Sequence, residues 1–184
     1  MNSVEKYLFQ ALDSYPFSLE ETIESLDYAL SLDPQNTMAL TMYGRIYSEQ
    51  LKNHEVAKTY FEQALSVNIH ALEVYGPYLD CLIQNDDFEE AEKLMGFALS
   101  IKGIDVSEIL IKKVLILEHQ MKLKEAKEAI KEVILANCNN FYLPVIDDME
   151  DRIQEKLKIL FPEKYKKKKK KKGNQGNNNS KLPF

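Results

Sequence analysis

Apolar residues recur along this chain at steps of three and four, separated by short polar breaks, from Val4 to Leu160. β-branched residues do not gather in alternating runs, so the pattern predicts helices and no strands. Val4, Tyr7, Leu8, Ala11 and Leu12 predict a short first helix, broken at Tyr15-Pro16-Phe17. Ser18, Leu19, Glu20 and Glu21 read as a capping box, in which the Ser18 hydroxyl accepts a free backbone N–H and Glu21 reaches back to the cap. The helix that follows presents Ile23, Leu26, Ala29 and Leu30 on one face and stops at Asp33-Pro34, because proline cannot continue the hydrogen-bond ladder. Asn36 is positioned to cap a helix over residues 37 to about 51, and Lys52-Asn53-His54 turns the chain into a partner over 56–67, with Ala57, Tyr60, Phe61, Ala64 and Leu65 inward. A helix over 71–83 is expected to kink or start late at Gly76-Pro77, since proline is tolerated only in a first turn. Further helices are expected over 88–101, 106 to about 120, and 123–136. A ninth, over roughly 143–160, carries Ile146, Met149, Ile153, Leu157 and Leu160 as a single stripe with a charged opposite face. It has no successor to pair with and is read as a terminal cap.

The pattern also repeats. Thr22, Ala57, Ala91 and Ala126 fall 35, 34 and 35 residues apart. Four positions on come Leu26, Phe61, Met95 and Ile130; three further, Ala29, Ala64, Ala98 and Val133; five beyond those, Pro34, Ile69, Gly103 and Cys138. The helices preceding the last three give Leu40, Tyr43, Gly44, Tyr47, then Tyr75, Tyr78, Leu79, Leu82, then Leu110, Lys113, Val114, Leu117. Small residues let two antiparallel helices touch, and the large ones fill the next groove. Over residues 4–138 the chain resembles the tetratricopeptide repeat, in about four units. The resemblance implies an all-α, right-handed superhelical solenoid of antiparallel helix pairs, here closed by a C-terminal capping helix at about 141–160. The second unit departs from the pattern by one extra residue in its inter-helix turn, and the fourth by Lys113 at a normally apolar position.

Charge divides the chain. The net charge of −5 is the sum of −14 up to Glu163, from 29 acidic and 15 basic residues, and +9 from nine lysines after it. Residues 1–162 are thus read as the helical domain and 163–184 as a disordered tail, since a lysine run followed by Gly, Asn, Gln and Ser cannot build a core. Lys166, Lys167, Lys168, Lys169, Lys170, Lys171 and Lys172 would attract a polyanion by counterion release. Such binding would be non-specific, for no aromatic residues interleave to stack on bases. The same run serves equally as a solubilising tail or as one lying on the acidic body of its own or another copy.

Catalytic chemistry is not expected. His54, His70 and His119 fall in different units, Cys81 and Cys138 follow no ligand spacing, and no glycine-rich phosphate loop is present, so the chain is read as no enzyme, with no metal and no cofactor. A Cys–His nucleophile would have to be assembled by folding; a helix-packed Cys81 and a turn Cys138 are the simpler reading. No leader segment and no stretch of about 20 apolar residues stands out, which points to a cytoplasmic protein with no membrane span.

The family resemblance implies peptide binding on a concave face lined by first helices. The positions not used for packing there are Thr41, Arg45, Ser48 and Glu49, then Glu73, Asp80 and Gln84, then Glu108, Ile111, Leu115 and Glu118. The set is mixed and mainly acidic, which favours basic or apolar peptides. Asp80 and Leu115 stand where a carboxylate clamp would need amide or basic groups. The set is equally readable as ordinary solvated helix faces, with Ile111 and Leu115 beneath the capping helix. The expected function is an adapter binding a protein or peptide partner; the alternative is a nucleic-acid- or ribosome-associated protein using the lysine tail. An open end of the stack also allows a homo-oligomer.

Overall fold

The computed structural model describes residues 2–137 and 140–163. Cys138 and the whole lysine run lie outside them. Among the described residues the elements are α1 (Ser3–Ser14), α2 (Leu19–Leu32), α3 (Thr37–Arg45), α4 (His54–Val67), α5 (Tyr75–Gln84), α6 (Phe88–Ala98), α7 (Val106–His119), α8 (Leu123–Ala136) and α9 (Leu143–Leu160), with no strand. The helices pack as consecutive pairs, α1 with α2, α3 with α4, α5 with α6 and α7 with α8, and α9 lies against α8. First helices of successive pairs touch, α3 with α5 and α5 with α7, whereas second helices of successive pairs stand further apart. That asymmetry makes the first helices an inner face and the second helices a splayed outer one.

Every core cluster reaches beyond a single pair, to the next pair or to α9, because no single pair can bury its own apolar face. Ala11, Leu26, Ala29, Met42 and Ile46 join α1 and α2 to the second pair. Phe61, Tyr75, Tyr78, Leu82, Ala91 and Ile109 fill the middle. Ile111, Val114, Ala126 and Ile130 close on Ile146, Met149, Ile153 and Leu157 of α9.

Local details depart from the sequence pattern in three places. Ser18 stands at the start of α2 but makes no capping bond with its side chain; instead the Thr22 hydroxyl donates back to the Ser18 carbonyl at 2.7 Å. The side chains that do cap are Asn2, whose box closes with Glu5, then Asn36, Asn53 and Asp105. Replacing Asn53 or Asp105 by alanine should therefore cost about 1 kcal/mol in urea denaturation, and Ser18→Ala less than about 0.5 kcal/mol. Equal costs at all three positions would contradict this account.

The extra residue of the second unit does not lengthen the turn. It is absorbed as a π-helical turn, Ile46–Gln50, closed by Leu51 N–H donating to the Ile46 carbonyl at 3.1 Å. The last turn of the helix widens, so Tyr43 and Ala57 keep the register their unit needs.

The third departure is the end of α6 at Ala98, three residues before the apolar pattern stops, with the chain turning over Gly103 at φ +95°. Only glycine adopts that backbone without strain. The late start expected at Gly76-Pro77 is present: a 3-10 turn, Leu72–Val74, precedes α5, and Pro77 lies in the first turn of that helix.

Candidate functional site

The inner face is built by α3, α5 and α7, and it holds fewer free groups than the spacing of its residues implied. Thr41 is 2% exposed, and its hydroxyl donates to the Thr37 carbonyl one turn back at 2.7 Å. Ser48 is equally buried, its Oγ 3.4 Å from Nδ1 of His54. Neither offers atoms to a ligand. The reason is rotational: each residue advances a helix by about 100°, and a position one step from the expected face turns into the seam between neighbours.

Arg45 and Glu49 do reach the surface, but as a pair, with Nε donating to Oε1 at 2.9 Å. The Arg45 guanidinium lies over the Tyr15 ring at 4.8 Å, and the Tyr15 hydroxyl donates to Glu49 at 2.5 Å. Burial works to raise the pKa of Glu49, yet the bonds from Arg45 and Tyr15 outweigh it and hold the carboxyl below its ordinary value. Tyr15 itself is raised, by burial first and by Glu49 second.

Glu73 accepts from the Thr37 hydroxyl at 3.1 Å, and Gln84 is exposed at the end of α5. Asp80 is bound by Lys112 of the next pair at 2.7 Å. The inner face therefore carries two cations, Arg45 and Lys112, against the carboxylates Glu49, Glu73, Asp80 and Glu108, and it is less acidic than its expected residues alone.

Glu108 is the carboxylate without a hydrogen-bond partner among the described residues. It sits half-buried between α5 and α7, directly on Gly76: a Cβ at that glycine would lie 2.1 Å from its Oε1. Burial raises its pKa; Lys112 pulls the other way, and Asp105 and Asp80 push it further up.

Glu118 belongs to a different structure. Its side chain is 4% exposed, and it accepts two bonds from Arg152 and one from Lys156, all at 2.7–2.8 Å. It is the lock of the capping helix and no part of the inner face. Ile111 is buried in the same cluster as Ile146 of α9, and Leu115 is partly buried between the two neighbouring cores.

Folding also brings Cys81 to His54, with Sγ 3.8 Å from Nδ1. The thiol is fully buried and burial raises its pKa, so it stays protonated and out of reach of a substrate. Among the described residues no group of three His, Cys, Asp or Glu side chains is placed to hold a metal ion, and no helix is long and apolar enough to cross a membrane.

Tyr15, Lys112, Arg152 and Lys156 were not singled out by the sequence, although a signal for most of them exists. In a stack of helix pairs, residues about one repeat apart become neighbours. Thr37 with Glu73, Asp80 with Lys112, and Glu118 with Arg152 and Lys156 are separated by 36, 32, 34 and 38 residues. A search for opposite charges at that separation would have found the ion pairs.

Residues 39–68, which span α3 and α4, match the family model of the tetratricopeptide repeat. No curated protein matches the sequence. Among solved structures, the pilF protein of Pseudomonas aeruginosa superposes on 87% of this chain and 71% of its own, with a TM-score of 0.72 at 18% identity. The MamA protein superposes over 98% of both chains, with a TM-score of 0.60 at 16% identity. These likenesses are of fold: a solenoid of helix pairs.

Proposed function

We propose that this tetratricopeptide-repeat solenoid is a protein-binding adapter whose inner face takes a peptide bearing cationic or amide donors. The observation that carries the reading is Glu108, a carboxylate seated on Gly76 without a hydrogen-bond partner among the described residues. Its oxygens keep contact with solvent, so a ligand ammonium, guanidinium or amide can reach them, and a hydrogen bond to a charged group contributes about 1.5–3 kcal/mol. Glu73, in the 3-10 turn ahead of α5, and Gln84, at the far end of that helix, supply further acceptors along the face.

The test is fluorescence anisotropy with basic, neutral and acidic peptides on the intact chain and on Glu108→Gln and Glu73→Lys. Glu108→Gln is expected to weaken basic peptides about fivefold to tenfold, or about 1 kcal/mol, and Glu73→Lys to weaken them further by repulsion. Binding of basic peptides that is indifferent to both substitutions would remove the inner face from consideration.

The lysine run supports a second, tail-borne activity, electrostatic binding of nucleic acid. With all seven lysines engaged on a single strand, log K should fall with log salt at a slope of about −5. The intact chain and one ending at Glu163 should differ in that salt-sensitive binding and agree in their protein partners. Equal oligonucleotide binding by both would retire it.

A further inference from the structure

On the opposite, outer side of the solenoid, α2 and α4 diverge over the end of α3 and leave a cleft of about 330 Å³. Its walls are Ile23, Leu30, Tyr43, Tyr47, Leu51 and Tyr60. The Tyr60 ring stacks against Tyr43 at 5.1 Å and against Tyr47 at 5.4 Å, with interplanar angles of 17° and 16°. Ile46 and Tyr47 stand in this wall at the start of the π-helical turn, three and four residues after Tyr43. Asp27 stands at the rim, one carboxylate oxygen accepting from the Tyr43 hydroxyl at 2.5 Å and the other without a hydrogen-bond partner among the described residues. A shallower recess continues from it along α2, sharing Ile23 and Asp27 and edged by Glu20 and Glu24. None of these three carboxylates forms an ion pair among the described residues.

We propose that this outer cleft binds an arginine-bearing segment of a partner protein. The chain holds one such arrangement already. On the inner side, a tyrosine hydroxyl donates to a carboxylate and a guanidinium covers the ring and pairs with the same carboxylate: Tyr15, Glu49 and Arg45. Tyr43 and Asp27 repeat the tyrosine–carboxylate half of that triad with no guanidinium upon the carboxylate among the described residues; the Tyr43 ring is 7% exposed and lies against Tyr60, so the aromatic faces left to a guanidinium are those of the part-buried Tyr47 and Tyr60. Arginine fits the vacant part better than lysine. Its planar, weakly hydrated guanidinium stacks on aromatic faces and presents paired N–H donors to a carboxylate, whereas a lysine ammonium is a strongly hydrated point charge. Glu20 and Glu24 extend the acidic rim toward a second basic residue, and Leu19 with Ile23 floors the space between.

The second interval repeats the tyrosine–carboxylate pair, with the Tyr78 hydroxyl 3.4 Å from Glu62 and 3.3 Å from Glu90, but not the wall of stacked tyrosines beside it. Between α4 and α6 the positions of Ile23, Tyr47 and Tyr60 are held by Lys58, Leu82 and Leu94, and Lys58 is itself bound to Asp87 at 2.8 Å. Between α6 and α8 they are Glu92, Leu117 and Ala129. The stack of Tyr43, Tyr60 and Tyr47 is particular to the first interval among the described residues, so repeat packing alone does not require it.

The test is a titration of the full chain, with tyrosine rings isotopically labelled, by acetylated hexapeptides alternating leucine with arginine, lysine or glutamate. The expected result is movement of the Tyr43, Tyr47 and Tyr60 ring signals, with the arginine peptide binding at least fivefold tighter than the lysine one and the glutamate one not binding. Asp27→Asn should weaken the arginine peptide at least tenfold. Because Asp27 also holds Tyr43, the double variant Glu20→Gln/Glu24→Gln, whose side chains hold nothing among the described residues, provides an independent loss of about threefold or more. Static ring signals at millimolar arginine peptide would overturn the proposal. So would equal response to lysine, which is also the signature of the chain's own lysine run as occupant. Movement confined to the ring signals of Tyr75, between Glu73 and the Gly76 on which Glu108 sits, would overturn it while supporting the inner-face reading.

Discussion

Replacing Glu118 with alanine is expected to cost about 3 kcal/mol and to make α9 open about a hundredfold more often. The carboxylate is nearly inaccessible, and three donors from Arg152 and Lys156 converge on it from α9. Removing one partner of a buried ion pair typically costs about 3–5 kcal/mol, because the remaining charge is stranded. Here Arg152 and Lys156 are 38% and 39% exposed and can turn back to water, which sets the cost at the lower end. The pH dependence gives the same size. The Arg152 bonds, against the opposing effect of burial and with help from Lys156, hold the Glu118 carboxyl at about 2, below its ordinary 4.5. A carboxyl depressed in the folded state contributes stability that is full above its unfolded pKa and is lost as the pH falls through its folded one. A shift of that size is worth about 3 kcal/mol, present above about pH 4.5 and lost toward about pH 2. Ile146, Met149, Ile153 and Leu157 remain buried in the variant and still hold the helix, so the expected change is in local opening and not in complete release. Hydrogen exchange over 143–160 reads it directly. Unchanged protection of that segment in Glu118→Ala, or in the native chain carried from pH 5 to pH 2, would show that the ion pairs do not anchor the cap.

A single methyl at Gly44 should be almost as damaging. Built on the backbone, it would lie 2.6, 2.7 and 2.8 Å from Cε1, Cζ and Cδ1 of Phe61. That ring is fully buried and stacked on Tyr78 at 5.2 Å, so it has nowhere to retreat. Alanine is the better helix former by about 1 kcal/mol, but overpacking a tight core costs about 1–3 kcal/mol or more. The steric effect wins, and Gly44→Ala is expected to destabilise by about 2 kcal/mol. Phe61→Ala, which empties the same contact, should cost about 4 kcal/mol. Combining Gly44→Ala with Phe61→Leu should recover part of the loss, since the slimmer side chain admits the methyl. Denaturation midpoints decide it: a Gly44→Ala variant as stable as the parent would mean that the helices can separate freely at this crossing. The same exchange of bulk is written into the other units. Where Gly44 becomes Leu79 and Val114, the residue facing it changes from Phe61 to Met95 and Ile130.

That compensation explains why the architecture is legible in the amino-acid sequence. Helical periodicity is a local property, and the spacing of small against large residues about 35 apart reports which helices approach each other. The succession of helices and their pairing order follow from it, as does the apolar stripe of α9. The candidate surface is legible only in outline. Arg45, Glu49, Glu73, Asp80 and Glu108 do line or edge the first helices, but their partners cannot be read from one helix at a time. Lys112 neutralises Asp80 from the next repeat, and Arg152 and Lys156 draw Glu118 under α9.

The sequence by itself determined the class of object: the order of its helices, the repeat that stacks them, and the division between an acidic body and a basic end. Those rest on composition and on periods that survive any small rotation of a helix. Only the tertiary structure decided which side chains remain available. A rotation of one residue buries Thr41 and Ser48, one extra residue is taken up as a π-turn, and a glycine at 76 leaves a carboxylate seated without a partner among the described residues. Each depends on how neighbouring helices cross, and crossing angles are set by packing among residues a full repeat apart.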